Sequence, residues 1–83
     1  MLSDGYKIGD KVILNITKFG NLRVKCTIDK IDIYTVSFIP HHDFYTWGLF
    51  KEGISFDIRQ DSTSSCISPL VASTKRDIEK LLG

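Results

Sequence analysis

The strict alternation of apolar and polar side chains over residues 22–29 constrains this chain more than any other feature. Leu22, Val24, Cys26 and Ile28 interleave with Arg23, Lys25, Thr27 and Asp29. A period of two collects the four apolar groups on one side of an extended chain and the four polar groups on the other. A helix would scatter both sets, so the segment reads as a strand with one face in a core and one in water. The same pattern recurs at Ile54, Phe56 and Ile58 against Ser55, Asp57 and Arg59. One-faced strands of this kind belong to antiparallel sheets, and the expected class is mainly β, a small five-stranded antiparallel barrel with one C-terminal helix.

At 83 residues the chain makes one domain, of a size that buries only about 60% of its unfolded surface, which leaves little room for a large internal cavity. Eleven Lys and Arg against ten Asp and Glu give a formal charge of +1, so no net field draws the chain to phosphate or anionic lipid. Residues 1–9 contain no long apolar run behind a basic segment, and no stretch reaches the roughly 18 apolar residues of a membrane-spanning helix. A cytoplasmic location is the expectation from this.

The strands can be placed and partly registered. Val12, Leu14 and Ile16 share a face in a first strand, and Gly20-Asn21 marks a reversal into the second. A two-residue loop there would set Ile16 opposite Lys25, whereas a three-residue loop, Phe19-Gly20-Asn21, pairs Ile16 with Val24 and Leu14 with Cys26 and keeps the apolar face continuous. Past Asp29 the parity changes, because Ile31 and Ile33 are odd-numbered while the inward candidates Val36 and Phe38 are even. A bulge or turn near residues 30–34 is expected to absorb the change. A third strand over 35–39 ends at Pro40, which cannot donate to a ladder. A fourth follows at 54–59 after the turn at Glu52-Gly53, and a brief fifth at 65–68.

Beyond Ser68 the period lengthens. Leu70, Thr74, Ile78 and Leu81 fall on one stripe, which predicts a helix near 70–82. Cys26, on the apolar face of its strand, and Cys66, beside Ile67, both read as small buried hydrophobes.

The Gly9-Asp10-Lys11-Val12 opening, Thr27-Ile28-Asp29-Lys30-Ile31, a reversal, and Thr35-Val36-Ser37-Phe38 together resemble the small barrels of the Src-homology-3 type, including Tudor and KOW modules. The run from Leu22 to Ile58, with its strand end at Pro40 and its Leu49-Phe50-Lys51-Glu52-Gly53 lead into a further strand, resembles the amino-terminal split barrel of flagellar-brake proteins. Both resemblances imply architecture. The arginine pair of a cyclic-dinucleotide site is missing from the sequence, so no binding residue carries over.

Chemistry is densest in residues 41–50, which hold four of the nine aromatics and both histidines. Rings exposed on such a loop make contact points for a partner, and Tyr34 on the preceding turn adds another. The expected partner is another protein, bound through Tyr34, His41, His42, Phe44, Tyr45 and Trp47 by a non-enzymatic interaction module or small inhibitor. Phe44, Trp47 and Phe50 are equally suited to closing the end of a small barrel, while Tyr45, His41 and His42 are expected outside. The alternative partner is nucleic acid, bound by a basic strip of Lys18, Arg23, Lys25 and Lys30. Adjacent His41 and His42 point to opposite sides of an extended segment and have no third ligand at a recognised spacing, so no metal or other cofactor is expected. Ser62, Ser64 and Ser65 lie in no nucleophile elbow, and no catalytic residue is assigned.

Overall fold

The computed structural model describes residues 1–18 and 20–70. Seven strands succeed one another: β1 (Lys11–Ile16), β2 (Leu22–Ile31), β3 (Thr35–Pro40), β4 (Phe44–Tyr45), β5 (Leu49–Phe50), β6 (Phe56–Arg59) and β7 (Ser65–Pro69). Five of them form one antiparallel sheet in the order β6-β3-β2-β1-β7, and β4 pairs with β5 as a separate hairpin. The five-stranded sheet is not closed: among the described residues no ladder joins its edge strands, β6 and β7, so the expected barrel is not formed. The predicted helix falls almost wholly outside the described residues. Leu70, its first position, instead prolongs the β1–β7 ladder by donating its N–H to the carbonyl of Lys11 at 3.2 Å.

The faces follow the alternation. Val12, Leu14, Ile16, Val24, Cys26 and Ile28 are buried while Arg23 and Lys25 are exposed. The register differs from the expected one by two residues, with Ile16 opposite Leu22 and Leu14 opposite Val24. Burial dictates only which side chains share a face, and a shift of two preserves that. The length of the β1–β2 connection then selects among the even registers. Phe19 of the expected loop lies outside the described residues.

The parity change is made by a bulge at Asp29, next to the expected segment: Ile28 opposes Phe38, and Lys30 opposes Ser37. From there Ile31 joins the inner face beside Val36. The chain then turns at Asp32, whose carboxylate accepts the N–H of Ile33 and whose own N–H donates to Thr35. Ile54, an expected inward residue, is exposed, because β6 begins only at Phe56, after the turn that Gly53 makes with a φ of 79°.

A single sheet has an apolar face to cover, and two small elements do it. Leu2 and Tyr6 of the N-terminal segment pack against the core, and so do Phe44 and Phe50 of the β4–β5 hairpin. The Tyr6 hydroxyl donates to the carbonyl of Ile67. Gln60, buried just after β6, bonds three segments together. Its Oε1 accepts the N–H of Ser3, its Nε2 donates to the carbonyl of Asp32, and its backbone bonds both Leu2 and Tyr34.

Replacing Gln60 by Ala removes the side-chain partner of the Ser3 N–H and of the Asp32 carbonyl, and such losses cost about 1–3 kcal/mol. Urea denaturation of Gln60→Ala is expected to show a loss of that size, while Cys66→Ala on the exposed surface stays within about 0.5 kcal/mol of the parent.

Candidate functional site

The β4–β5 hairpin sorts its rings by register. Phe44 opposes Phe50 and Tyr45 opposes Leu49. Successive residues of a strand face opposite ways, so the first pair turns inward and the second outward. Phe44 and Phe50 stack at 4.8 Å between centroids, 9° from parallel, and both meet Phe56 at 5.4 and 5.1 Å. Phe56 in turn reaches Phe38 at 5.8 Å. Phe44, at 7% exposure, is therefore a core residue and leaves the expected contact set. The hairpin is docked on the sheet by its inner rings and displays its outer ones.

Tyr45 and Leu49 are 73% and 61% exposed, and Trp47, between them at the tip, is 49% exposed while packing edge-on against Phe50 at 4.9 Å. The Thr46 hydroxyl beside Trp47 is buried and has no hydrogen-bond partner among the described residues. Tyr34, 76% exposed, stands with the exposed Ile33 on the β2–β3 turn. Trp47 and Tyr34 line two clefts that share Arg59 and Asp61. A cleft of about 440 Å³ is lined by Trp47, Ile16, Ile58, Arg59 and Asp61, and a second of about 380 Å³ by Met1, Ile33, Tyr34, Arg59 and Asp61. Arg59 and Asp61, ion-paired at 3.2 Å, form the ridge between them.

The histidines separate. His42 is exposed, with its ring against the edge of Phe44 at 6.4 Å. His41 is half-buried, its Nε2 2.7 Å from the hydroxyl of Thr27. Burial holds the His41 pKa below its ordinary 6.5, and the charges of Lys11, His42 and Lys25 push the same way against the opposing charge of Glu52. Asp43 closes the base of the hairpin: its carboxylate accepts the N–H of Glu52 at 2.8 Å and meets Lys51 at 3.5 Å. The Glu52 hydrogen bond, helped by Lys51, keeps the carboxyl below its ordinary range.

All four residues of the basic strip, Lys18, Arg23, Lys25 and Lys30, are exposed. Arg23 and Lys25 lie on the outer face of β2, opposite Asn15 and Ile13 of β1, and Lys30 lies past the bulge opposite Ser37. The expected strip missed Lys11, whose register partner is Thr27 and whose charge reaches His41.

Among the described residues no group of three or more His, Cys, Asp or Glu side chains could hold a metal ion, and no helix is long and apolar enough to cross a membrane. Cys26 is buried, and burial pushes its thiol up to about 12. Cys66 corrects the expectation of a second buried thiol: it faces outward opposite Asn15 and is exposed. Its neighbours Ser65 and Ile67 take the inward positions. Comparison with protein-family models, curated proteins and solved structures found no match.

Between the ordinary histidine pKa of 6.5 and the lower value in the folded chain, the unfolded chain binds a proton that the folded one does not. Stability therefore falls as the pH drops through that window and levels off below it. Thermal melts across this range are expected to follow that course, and His41→Gln to flatten it. A thiol reagent at neutral pH is expected to label Cys66 in the native protein and Cys26 only after denaturation, since the thiolate is the reacting form.

Proposed function

We propose that this domain is a non-enzymatic protein-interaction module, or a small inhibitor, that buries Tyr34, Tyr45 and Trp47 in a protein partner. The observation that carries this reading is the division of labour among the aromatic residues. Phe38, Phe44, Phe50 and Phe56 are joined in the core cluster and its margin, while the two tyrosines contribute little to it and remain in water. Water-exposed rings are unfavourable for an isolated domain, and Tyr and Trp are the residues that most often dominate protein interfaces. Leu49, Ile33 and Met1 are further exposed apolar side chains, Ile33 and Met1 in the cleft with Tyr34, and the Arg59–Asp61 pair is a polar element of that cleft and of the Trp47 cleft. An apolar patch with polar surroundings on a small domain marks an interaction surface. His42 contributes to the rim, and His41 adds pH dependence through the fold rather than by contact. The same reading takes the five-stranded sheet as a relative of small barrels left open between β6 and β7.

A second reading has its own support. Burial is the main cause of the lowered His41 pKa, but Lys11 and Lys25 lower it further, and these cations stand exposed on the outer sheet face although the chain is nearly neutral. A nucleic acid laid along Lys18, Arg23, Lys25 and Lys30 would use that face.

The two are separated by capture from an extract of the native host. With the double variant Tyr34→Ala, Tyr45→Ala, the captured protein is expected to fall by about tenfold or more, the loss of a single interface hot spot being worth about 2 kcal/mol. Circular dichroism should stay unchanged. Retention of the partner by that variant overturns the first reading. Capture of nucleic acid that is lost steeply with added salt supports the second.

A further inference from the structure

The two edges of the open sheet face a common cleft, and their main-chain groups are left in a state that one kind of ligand satisfies. In an antiparallel ladder, alternate residues direct both N–H and C=O toward the neighbouring strand, and the residues between them direct both away. Gln60 donates to Tyr34, which sets the phase of the β3–β6 ladder. Phe56 and Ile58 thus bond to β3, and Asp57 and Arg59 turn their backbone groups outward. Across the cleft, Thr17 donates to Ser64 and Leu70 to Lys11. Cys66 and Ser68 thus bond to β1, and Ser65 and Ile67 turn away. The carbonyl of Ile67 is taken by Tyr6, and that of Arg59 by the N–H of Ser62. Among the described residues, the N–H and C=O of Asp57, the N–H of Arg59 and both groups of Ser65 have no protein partner. All three residues line the Trp47 cleft of about 440 Å³.

We propose that this cleft takes an extended peptide strand from a protein partner, added to the free edge of β6 with Ser65 as the far wall. This deepens the interaction-module reading and rests on it. Isolated polar ligands would satisfy one or two of these groups, whereas a strand presents donors and acceptors at the same spacing as the edge. From Asp57 to Arg59 the edge spans about 7 Å, at ~3.3 Å per residue, and registers three residues of the incoming strand. The central one stands opposite Ile58 in a close, non-hydrogen-bonded pair and turns inward, where Ile16, Ile58 and Trp47 line the cleft. Its side chain is therefore aliphatic, with Val or Ile best fitted to a strand. The two flanking residues point outward beside Asp57 and Arg59, so a base opposite the aspartate and an acid opposite the arginine complement the edge.

The probe is a phage-displayed library of random linear heptapeptides, selected against the immobilised full chain. Recovered peptides are expected to centre on an aliphatic residue flanked by opposite charges. Their synthetic forms should change the emission of Trp47, the single tryptophan of the chain, and slow amide exchange at Asp57 and Arg59. N-methylating the residue opposite Asp57 removes the N–H that donates to the free Asp57 carbonyl, and should weaken binding by about tenfold or more. Asp57→Pro should do the same, since it removes an N–H that β3 does not use. N-methylated peptides need no protein variant, so the test stands even where the proline variant fails to fold. A library that yields no peptide moving Trp47 and these amides, or peptides indifferent to N-methylation, overturns the proposal. If Tyr34→Ala, Tyr45→Ala still costs the captured partner in that case, the wider interaction reading survives. If both fail, neither stands.

Discussion

The packing of Phe44 and Phe50 onto Phe56 is the contact on which the rest of the molecule depends. A lone sheet of five short strands buries one face only if something lies across it, and a chain of this length has no second sheet of comparable size to spare. The β4–β5 hairpin supplies the cover with two rings, stacked on each other and set against Phe56, which passes the contact on to Phe38. Each such ring pair adds about 0.5–1.5 kcal/mol beyond the area it buries. Because the hairpin has only two paired positions, turning one pair inward obliges the other outward. Exposure of Tyr45 and Leu49 is thus a geometric consequence of burying Phe44 and Phe50.

The second cover is the N-terminal segment. Leu2 and Tyr6 occupy the core side near β7, and Gln60 ties this segment to the end of β6 and to the β2–β3 turn. The chain then crosses from β6 to β7, which lie at opposite edges of the sheet, without pairing them. Closing a barrel removes edges. This arrangement keeps two of them, one partly capped by the Tyr6 hydroxyl and the other occupied at only one outward carbonyl. The edges, the Trp47 wall and the Arg59–Asp61 ridge consequently meet at one end of the sheet.

Charge is arranged separately from the rings. The outer face of β1 and β2 gathers Lys11, Arg23 and Lys25, and the charges of Lys11 and Lys25 add to burial in lowering the proton affinity of His41. Three of the acidic residues are engaged elsewhere: Asp57 with Ser37, Asp61 with Arg59 and Asp43 with the Lys51-Glu52 turn. A nearly neutral chain therefore places three exposed cations on one sheet face, which net charge alone conceals.

Local alternation determined which sides of β1, β2, β3 and β6 are apolar, since the direction of a side chain in a strand depends only on its neighbours in sequence. Val24, Cys26, Ile28, Val36 and Phe38 were legible as core for that reason, as was the need for a bulge where the parity of Ile31 conflicts with that of Phe38. Quantities that depend on distant residues were not. The two-residue shift of the β1–β2 register leaves every face unchanged, so alternation cannot detect it. Phe44 and Tyr45 are chemically similar neighbours, and only the docking of the hairpin on Phe56 assigned one to the core and the other to water. Cys66 could have been placed by noticing that adjacent strand residues cannot both face inward with Ile67. Tertiary structure alone decided that the sheet stays open and that β6 and β7 line one cleft. Closure is a property of how the edges meet, and no single segment carries that information.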